Sequence, residues 1–383
     1  MNPNQAKRIM LIAGEASGDL HGAKLVKEIK QENPLCSFIG IGGTQLAAAG
    51  MEIIVNSDQL AVVGLSEVLA HLSVILGALK KVKQAMLQQR PELVILIDFP
   101  DFNFRVAKAA KKLGIKVLYY ISPQLWAWRS GRVKTIKRYV DHMAVVFPFE
   151  VSLYQNKHVP VTFVGHPLAN SVKSSLSNFE ARQTFKLSPN QPCVALIPGS
   201  RKAEIHRLLP VMLAAAKLLK RQHPDLQFIL PIAPSIPETM LESYLSHLDF
   251  EIKVVKQRIY DVMQACNAAI TASGTVTLEA ALMELPIVVI YKVSWLSYQL
   301  AKLLINIPYI SLTNIVAEQR VVPELIQAAA NPKTIADEIN KILQDENYTA
   351  TIKTELTKIK NKLLSNTGEQ SVAKLALTML DKT

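Results

Sequence analysis

The chain has 383 residues, of which 49% are apolar, 19% charged and only 6% aromatic. That is a dense aliphatic composition, which excludes a disordered chain and provides for two domain-sized cores. The net charge of +12 points to nucleic acid, an anionic lipid surface or a phosphorylated substrate. No nucleic-acid signature accompanies the basic clusters at Lys80–Lys83, Lys108–Lys112 and Arg129–Arg138, so nucleic acid is not expected as a partner.

Short aliphatic runs read as buried strands and longer 3.6-period segments as helices. In the first half the strands are expected at Ile9–Ala13, Ser37–Ile41, Ile53–Val55, Leu93–Ile97, Val117–Ile121, Met143–Phe147 and Val161–Val164. Helices are expected between most of them, at Asp19–Lys30, Glu67–Gln88, Phe102–Leu113, Arg132–Tyr139 and Glu150–Asn156. The Ser- and Asn-rich stretch Leu168–Asn178 has no apolar period and reads as a linker. The alternation then restarts, with strands at Val194–Ile197, Phe228–Ile232, Ile252–Val255, Ala268–Thr271 and Ile287–Tyr291, and an almost wholly helical tail from about Pro323. The expected class is therefore α/β, with two Rossmann-like domains facing across a cleft and a helical C-terminal tail. The boundaries fall at 1–170, 179–345 and 346–383, with the tail free to pack back on the first domain.

The three cysteines, Cys36, Cys193 and Cys266, are far apart in sequence and lack metal-ligand spacing. They read as small core residues in a reducing compartment. The first apolar run is too short for a signal peptide. Ala61–Leu79, the longest, is interrupted by Glu67 and His71 and does not read as a spanning helix. Followed by Lys80, Lys81 and Lys83, it is a candidate for resting on an anionic membrane surface, as is Trp295–Leu304, with a buried helix as the plainer reading of each.

Ligands of parallel sheets bind beyond the carboxyl ends of the strands. Two turns in the second half suit a diphosphate there. In Pro198-Gly199-Ser200-Arg201, Gly199 permits close backbone approach, Ser200 can cap the following helix, and Arg201 offers forked donors to phosphate oxygens. In Ser273-Gly274-Thr275, small residues again lead into a helix start. Glu279, one turn later, can accept from both hydroxyls of a ribose. One such turn is common, but two with Arg and Glu so placed point to a nucleoside diphosphate. Neither is a P-loop. Gly14-Glu15-Ala16-Ser17-Gly18-Asp19 lacks the Gly-x-Gly-x-x-Gly spacing of dinucleotide sites.

In the first half, Leu93–Ile97 ends in Asp98-Phe99-Pro100-Asp101-Phe102-Asn103. Asp98 is the candidate general base and Asp101 the candidate helix cap, with Glu15 the rival base. No Asp-x-Asp pair supports a metal-diphosphate site, and no metal or cofactor is expected. Two of the three tryptophans lie in Tyr119–Trp128, where aromatic faces can stack on a sugar or acyl group or simply form a local core. Ser17, Gly18, Gln124 and Trp126 are the acceptor-side candidates. His166, in Gly165-His166-Pro167, reads as a hinge residue.

Taken together and in order, these segments closely resemble the lipid-A-disaccharide synthase family of GT-B-fold glycosyltransferases. The resemblance also takes in Gly42-Gly43, Gly64 with Glu67-Val68, Phe147–Glu150, Gly165–Leu168 and Glu204. Leu46 and Thr313 depart from the pattern, standing where methionine and proline are expected, and Thr313 leaves the shape of its loop open. The resemblance implies an inverting transfer of 2,3-diacylglucosamine from its UDP-linked donor to the 6-hydroxyl of 2,3-diacylglucosamine 1-phosphate, releasing UDP. It implies no metal, and work on the cytoplasmic face of the inner membrane. Arg201 with the two turns would hold the leaving diphosphate, Glu279 the ribose, and Asn314 would line the same site. A homodimer is compatible with it. The alternatives are a UDP-sugar 2-epimerase or a non-catalytic nucleotide-sugar or lipid carrier.

Overall fold

The computed structural model describes residues 6–60, 68–125, 130–304, 307–364 and 371–381. The chain divides into two compact units, one comprising Met1–Pro167 with Ser365–Thr383 and the other Leu168–Leu364.

The first unit runs β1 (Arg8–Ala13), α1 (Ala16–Glu32), β2 (Ser37–Gly42), α2 (Thr44–Ala48), β3 (Glu52–Asn56), α3 (Val68–Gln89), β4 (Leu93–Ile97), α4 (Pro100–Lys112), β5 (Lys116–Tyr120), α5 (Val133–Tyr139), β6 (His142–Val145), α6 (Phe149–Gln155) and β7 (Val161–Phe163). Its strands form one parallel sheet in the order β3-β2-β1-β4-β5-β6-β7. Helices cover both faces, so the central strands are apolar throughout. All five residues of β4 are buried, as a doubly wound sheet requires. The order reverses between β1 and β4, whose ends pair at Ala13 and Ile97.

The second unit runs α7 (Asn178–Thr184), β8 (Cys193–Ile197), α8 (Lys202–Gln222), β9 (Gln227–Ile232), α9 (Thr239–Leu245), β10 (Ile252–Lys256), α10 (Ile259–Ala265), β11 (Ala268–Ala272), α11 (Thr275–Leu282), β12 (Ile287–Tyr291), α12 (Trp295–Leu304), α13 (Leu312–Ala317), β13 (Glu324–Ile326), α14 (Pro332–Gln344) and α15 (Glu346–Leu364). Its parallel sheet has the order β10-β9-β8-β11-β12-β13 and reverses between β8 and β11. The last helix, α16 (Val372–Asp381), belongs to the first unit. It packs on α1, and Lys116 Nζ donates to its Met379 carbonyl at 2.9 Å.

Three elements depart from the sequence reading. Glu324–Ile326, expected within a helical tail, is an edge strand on β12. Three residues are too few to display a period of two. The helix Glu346–Leu364, placed in the tail by its sequence, belongs to the second unit. The Ser-rich stretch before α7 is fastened rather than slack. Ser174 Oγ and the Ser175 amide donate to Asp261 Oδ1 at 2.7 and 3.1 Å, and Ser177 closes a capping box with Glu180 on α7. Serine serves here through its hydrogen bonds, which hydropathy does not register.

Within the first unit, buried Asp19 ties α1 to α2. Its carboxylate accepts from the amides of Gly43, Gln45 and Leu46 at 2.6, 2.9 and 3.1 Å. These charge-assisted bonds satisfy the orphan amides at the start of α2. Asp19→Ala removes all three and leaves buried donors unpaired. It is expected to cost roughly 2–4 kcal/mol, read as a lower urea midpoint for the first unit.

Candidate nucleotide and base sites

The reversal point of each sheet collects the candidate residues of its own unit. In the second unit, β8 delivers Gly199, Ser200 and Arg201, and β11 delivers Ser273, Gly274 and Thr275. Both turns line one cavity of about 540 Å³, a size typical of small-ligand sites. Glu204, Gln257, Arg258 and Glu279 line it too. The N-terminus of α11 opens onto this cavity, which favours an anion there.

The β8 turn differs from its expected form. Ser200 is not the helix cap. Arg201 occupies that position, and Glu204 reaches back so that its Oε2 accepts from the amides of Ser200 and Arg201 at 3.0 and 3.2 Å. Its Oε1 accepts from Arg201 Nη1 at 3.2 Å. The amides expected to face phosphate are therefore held by an internal carboxylate, and the guanidinium, 82% exposed, remains the donor available to a ligand. Gly199 lies at φ 111°, and a Cβ on it would stand 2.2 Å from Glu204 Oε2. Glycine is needed both for its backbone and for the space it leaves.

The β11 turn is braced from behind. Ser273 Oγ donates to the Ile310 carbonyl at 2.8 Å, and Thr277 Oγ1 donates to Gly274 O at 2.8 Å while accepting from the Leu312 amide. Thr313, where proline was expected, donates to the Thr277 carbonyl at 2.6 Å. Proline carries no such donor. Asn314 does not line the cavity. It is fully buried, its amide nitrogen donates to Val322 O and Glu324 Oε1, and its oxygen accepts from the amides of Val321 and Val322. Its type suited a binding site, but its neighbours use all of its hydrogen-bonding capacity. Glu279 does line the cavity and accepts from Tyr260 Oη at 3.1 Å; burial raises its pKa.

In the first unit, Glu15 follows β1 and Asp98 follows β4, on adjacent strands at the reversal point. Burial, then the Glu15 charge, pushes the Asp98 carboxyl up to about 6. Asp98 and Phe99 lie at φ 45° and 46°, a left-handed pair costing roughly 1–2 kcal/mol per residue. The Phe99 ring lies where a Gly14 Cβ would stand, 2.4 Å from its nearest atom, so Gly14 admits the ring against the end of β1. Asp101 is not the helix cap. Phe99 is, and Asp101 sits in the first turn, paired with Arg132. Ser17 is exposed and Gly18 buried at the start of α1, Gln124 is exposed after β5, and Trp126 lies outside the described residues. Burial, then His21, lowers His166 to about 4, and its ring packs 4.9 Å from Phe147. It is neutral at physiological pH.

Sequence reasoning missed the pairing of two cysteines. Cys193 Sγ and Cys266 Sγ lie 3.7 Å apart at the near ends of β8 and β11, where neighbouring strands bring together residues distant in sequence. Among the described residues no group of three or more His, Cys, Asp or Glu side chains could hold a metal ion.

Two parallel-sheet units, each with its candidate residues at a reversal point, define the GT-B fold class. Solved structures agree. A UDP-GlcNAc 2-epimerase from Neisseria meningitidis superposes with TM-score 0.64 at 12% identity over 98% of this chain and 100% of that one. A calicheamicin glycosyltransferase gives 0.61 at 13% over 99% of each. At such identities the likeness establishes the fold. Sequence relatives go further. The family description "Lipid-A-disaccharide synthetase" matches residues 9–378. The lipid-A-disaccharide synthases of Geobacter metallireducens and Nitrosococcus oceani are 52% and 48% identical, over 98% of this chain and 98% of the first, and 99% of this chain and 97% of the second. The chain belongs to the lipid-A-disaccharide synthase family.

Gly199→Ala is expected to destabilise the second unit by roughly 2–3 kcal/mol, from both backbone strain and overlap with Glu204. Thermal unfolding of Gly199→Ala with and without Glu204→Ala checks this. Measured against Glu204→Ala alone, the double variant should recover most of the steric share, with the residue-204 Cβ still 3.0 Å away, and keep the backbone share.

Proposed function

We propose that this chain transfers 2,3-diacylglucosamine from UDP-2,3-diacylglucosamine to the 6-hydroxyl of 2,3-diacylglucosamine 1-phosphate, forming a β-1,6 disaccharide and releasing UDP. The observation that carries the reading is the single cavity lined by Arg201, the Ser273–Thr275 turn and Glu279, in a chain that is about half identical to synthases over its whole length. The epimerase alternative rests on fold alone and is not favoured.

The chemistry follows from charge. The acceptor oxygen attacks C1 of the donor from the face opposite the diphosphate. The C1–O bond breaks, its electron pair leaves on the diphosphate, and the acceptor proton passes to Asp98. A carboxyl near 6 is ionised at neutral pH and more basic than an ordinary one, which suits a general base. Burial, and then the charge of the neighbouring Glu15, give it that added basicity. Arg201 and the α11 amides oppose the charge growing on the leaving group, a term that is often the largest in catalysis. Glu279 holds the ribose.

Asp98→Asn is expected to retain UDP affinity and lose turnover by roughly 10²–10⁴-fold, whereas Arg201→Ala weakens UDP binding. Because Asp98 binds its proton more tightly folded than unfolded, ionising it opposes folding. That penalty is absent below the ordinary carboxylate range and complete above about 6. Asp98→Asn should therefore be more stable at neutral pH, by up to ~3 kcal/mol, and wild-type activity should fall as pH drops through about 6. Normal turnover in Asp98→Asn would move the base to Glu15.

We place the enzyme, peripherally, on an anionic membrane surface at the cytoplasmic face of the inner membrane, where both acylated substrates partition. Among the described residues no helix is long and apolar enough to cross a membrane. On α12, Trp295 is 72% and Leu300 58% exposed, beside exposed Lys302, apolar groups flanked by positive charge that suit an interface. Of the other candidate, Ala61–Leu79, residues 61–67 lie outside the described residues and the remainder opens α3, where Val74 and Leu76 are exposed while Ala78 and Leu79 are buried in the core. Trp295→Ser with Leu300→Ser is expected to lower sedimentation with phosphatidylglycerol vesicles severalfold, leaving turnover on detergent-dispersed substrates intact. Unchanged sedimentation would remove α12 from the membrane contact.

A further inference from the structure

The turn that carries Asp98 is held by more than its own chain. The Asp98 carbonyl accepts two side-chain hydrogen bonds, from Tyr119 Oη at 2.6 Å and from Asn103 Nδ2 at 2.7 Å. Asn103 Nδ2 also donates to the Ile97 carbonyl at 3.2 Å, and its amide donates to Phe99 O at 3.0 Å. The Asp98 amide donates to Tyr120 O at 3.2 Å, joining the turn to β5. Both donor side chains are fully buried. The backbone they grip is the left-handed pair Asp98–Phe99. Left to itself a non-glycine pair relaxes out of that region, so the conformation persists only where neighbours over-determine it.

Asn103 shows that this grip carries a cost. Its Oδ1 is buried and has no hydrogen-bond partner, an arrangement that disfavours folding. An apolar residue of similar size would avoid the orphaned acceptor. What it could not supply is the pair of donors on Ile97 O and Asp98 O. Tyr119 is likewise a reliable donor. Burial, then the Asp98 charge, keeps its phenol protonated well above the ordinary range.

We infer that Tyr119 and Asn103 are positioning residues for the transfer reaction, clamping the Asp98 carbonyl so that its carboxylate is held at the end of β4 beside Glu15. The clamp rests on the reading of Asp98 as the general base and adds to it the two side chains that hold that base in its strained turn. They touch no reacting atom and act through Asp98. The charged and titratable groups around them are Glu15 next to Asp98, and Tyr154 and Arg132 next to Tyr119.

Tyr119→Phe tests this with least disturbance, since it keeps the ring and removes only the hydroxyl. It is expected to lower kcat roughly tenfold, the effect of one lost hydrogen bond to a constrained group, with unchanged KM for the UDP-linked donor and unchanged UDP affinity. The acid limb of its pH profile should move below that of the wild type, because a released carboxylate escapes burial and the Glu15 charge. Asn103→Ala is expected to act in the same direction and more strongly. In the Asp98→Asn background Tyr119→Phe should have no further effect, because the group it positions is gone. A Tyr119→Phe enzyme with wild-type kcat and pH profile would overturn the clamp, as would a loss of rate that merely tracks the folded fraction. An additive loss in the double variant would overturn it too. Failure of the base reading is separate, since it shows as normal turnover in Asp98→Asn alone.

Discussion

A parallel sheet sends every strand out at the same edge, and where its strand order reverses, two neighbouring turns diverge and leave a space that no connection fills. In each unit the candidate chemistry lies at that space. Between β8 and β11 it is a cavity lined by two small-residue turns and the start of a helix. Between β1 and β4 it is a pair of carboxylates, Glu15 and Asp98, brought close enough for one to raise the pKa of the other. The sheets could not be built without apolar strands buried on both faces, and the polar residues could not converge without the sheets.

The two reversal points are furnished for opposite tasks. On the proposed reading, the one in the second unit gathers donors toward an anion, though not in the simplest way. Glu204 occupies the amides of Ser200 and Arg201, which fixes the β8 turn rigidly and leaves the guanidinium and the α11 terminus to meet a ligand. A carboxylate beside an anion site looks unfavourable until its partners are counted, since two amides and Arg201 neutralise much of its charge. The network of Thr277, Ser311, Thr313, Asn314 and Glu324 then braces the β11 turn from within the core. The reversal point in the first unit instead concentrates negative charge and strain around Asp98. Both features work against stability, and on the proposed reading both favour a poised base, the usual exchange at an active site.

Much of this was legible from residue order. The buried strands read directly because a doubly wound sheet leaves them apolar on both faces, and Gly199, Ser273–Thr275 and Glu279 read as one site because two small-residue turns leading into helix starts, with Arg201 and Glu279 beside them, together suit a diphosphate where one alone would not. Asn314, Ser200 and Asp101 show where such reading stops. Each has a side chain suited to the role expected of it, and each was redirected by partners that folding brings to it, close in sequence for Ser200 and Asn314 and distant for Asp101. Asn314 was taken up by the Val321–Glu324 segment, Ser200 was displaced as cap by Glu204, and Asp101 was drawn to Arg132. The Cys193–Cys266 approach and β13 escaped for the same reason, since both exist only through strand pairing.

Sequence alone therefore determined the class of the chain, its two sheets and the residue types available for binding a diphosphate and removing a proton. These follow from local periodicity and composition, which each segment carries within itself. Tertiary structure alone decided which of those residues are free to act. A hydrogen bond can be made only once, and whether Asn314, Glu204 or Asn103 spends it on a ligand or on the fold depends on what folding brings within 3 Å.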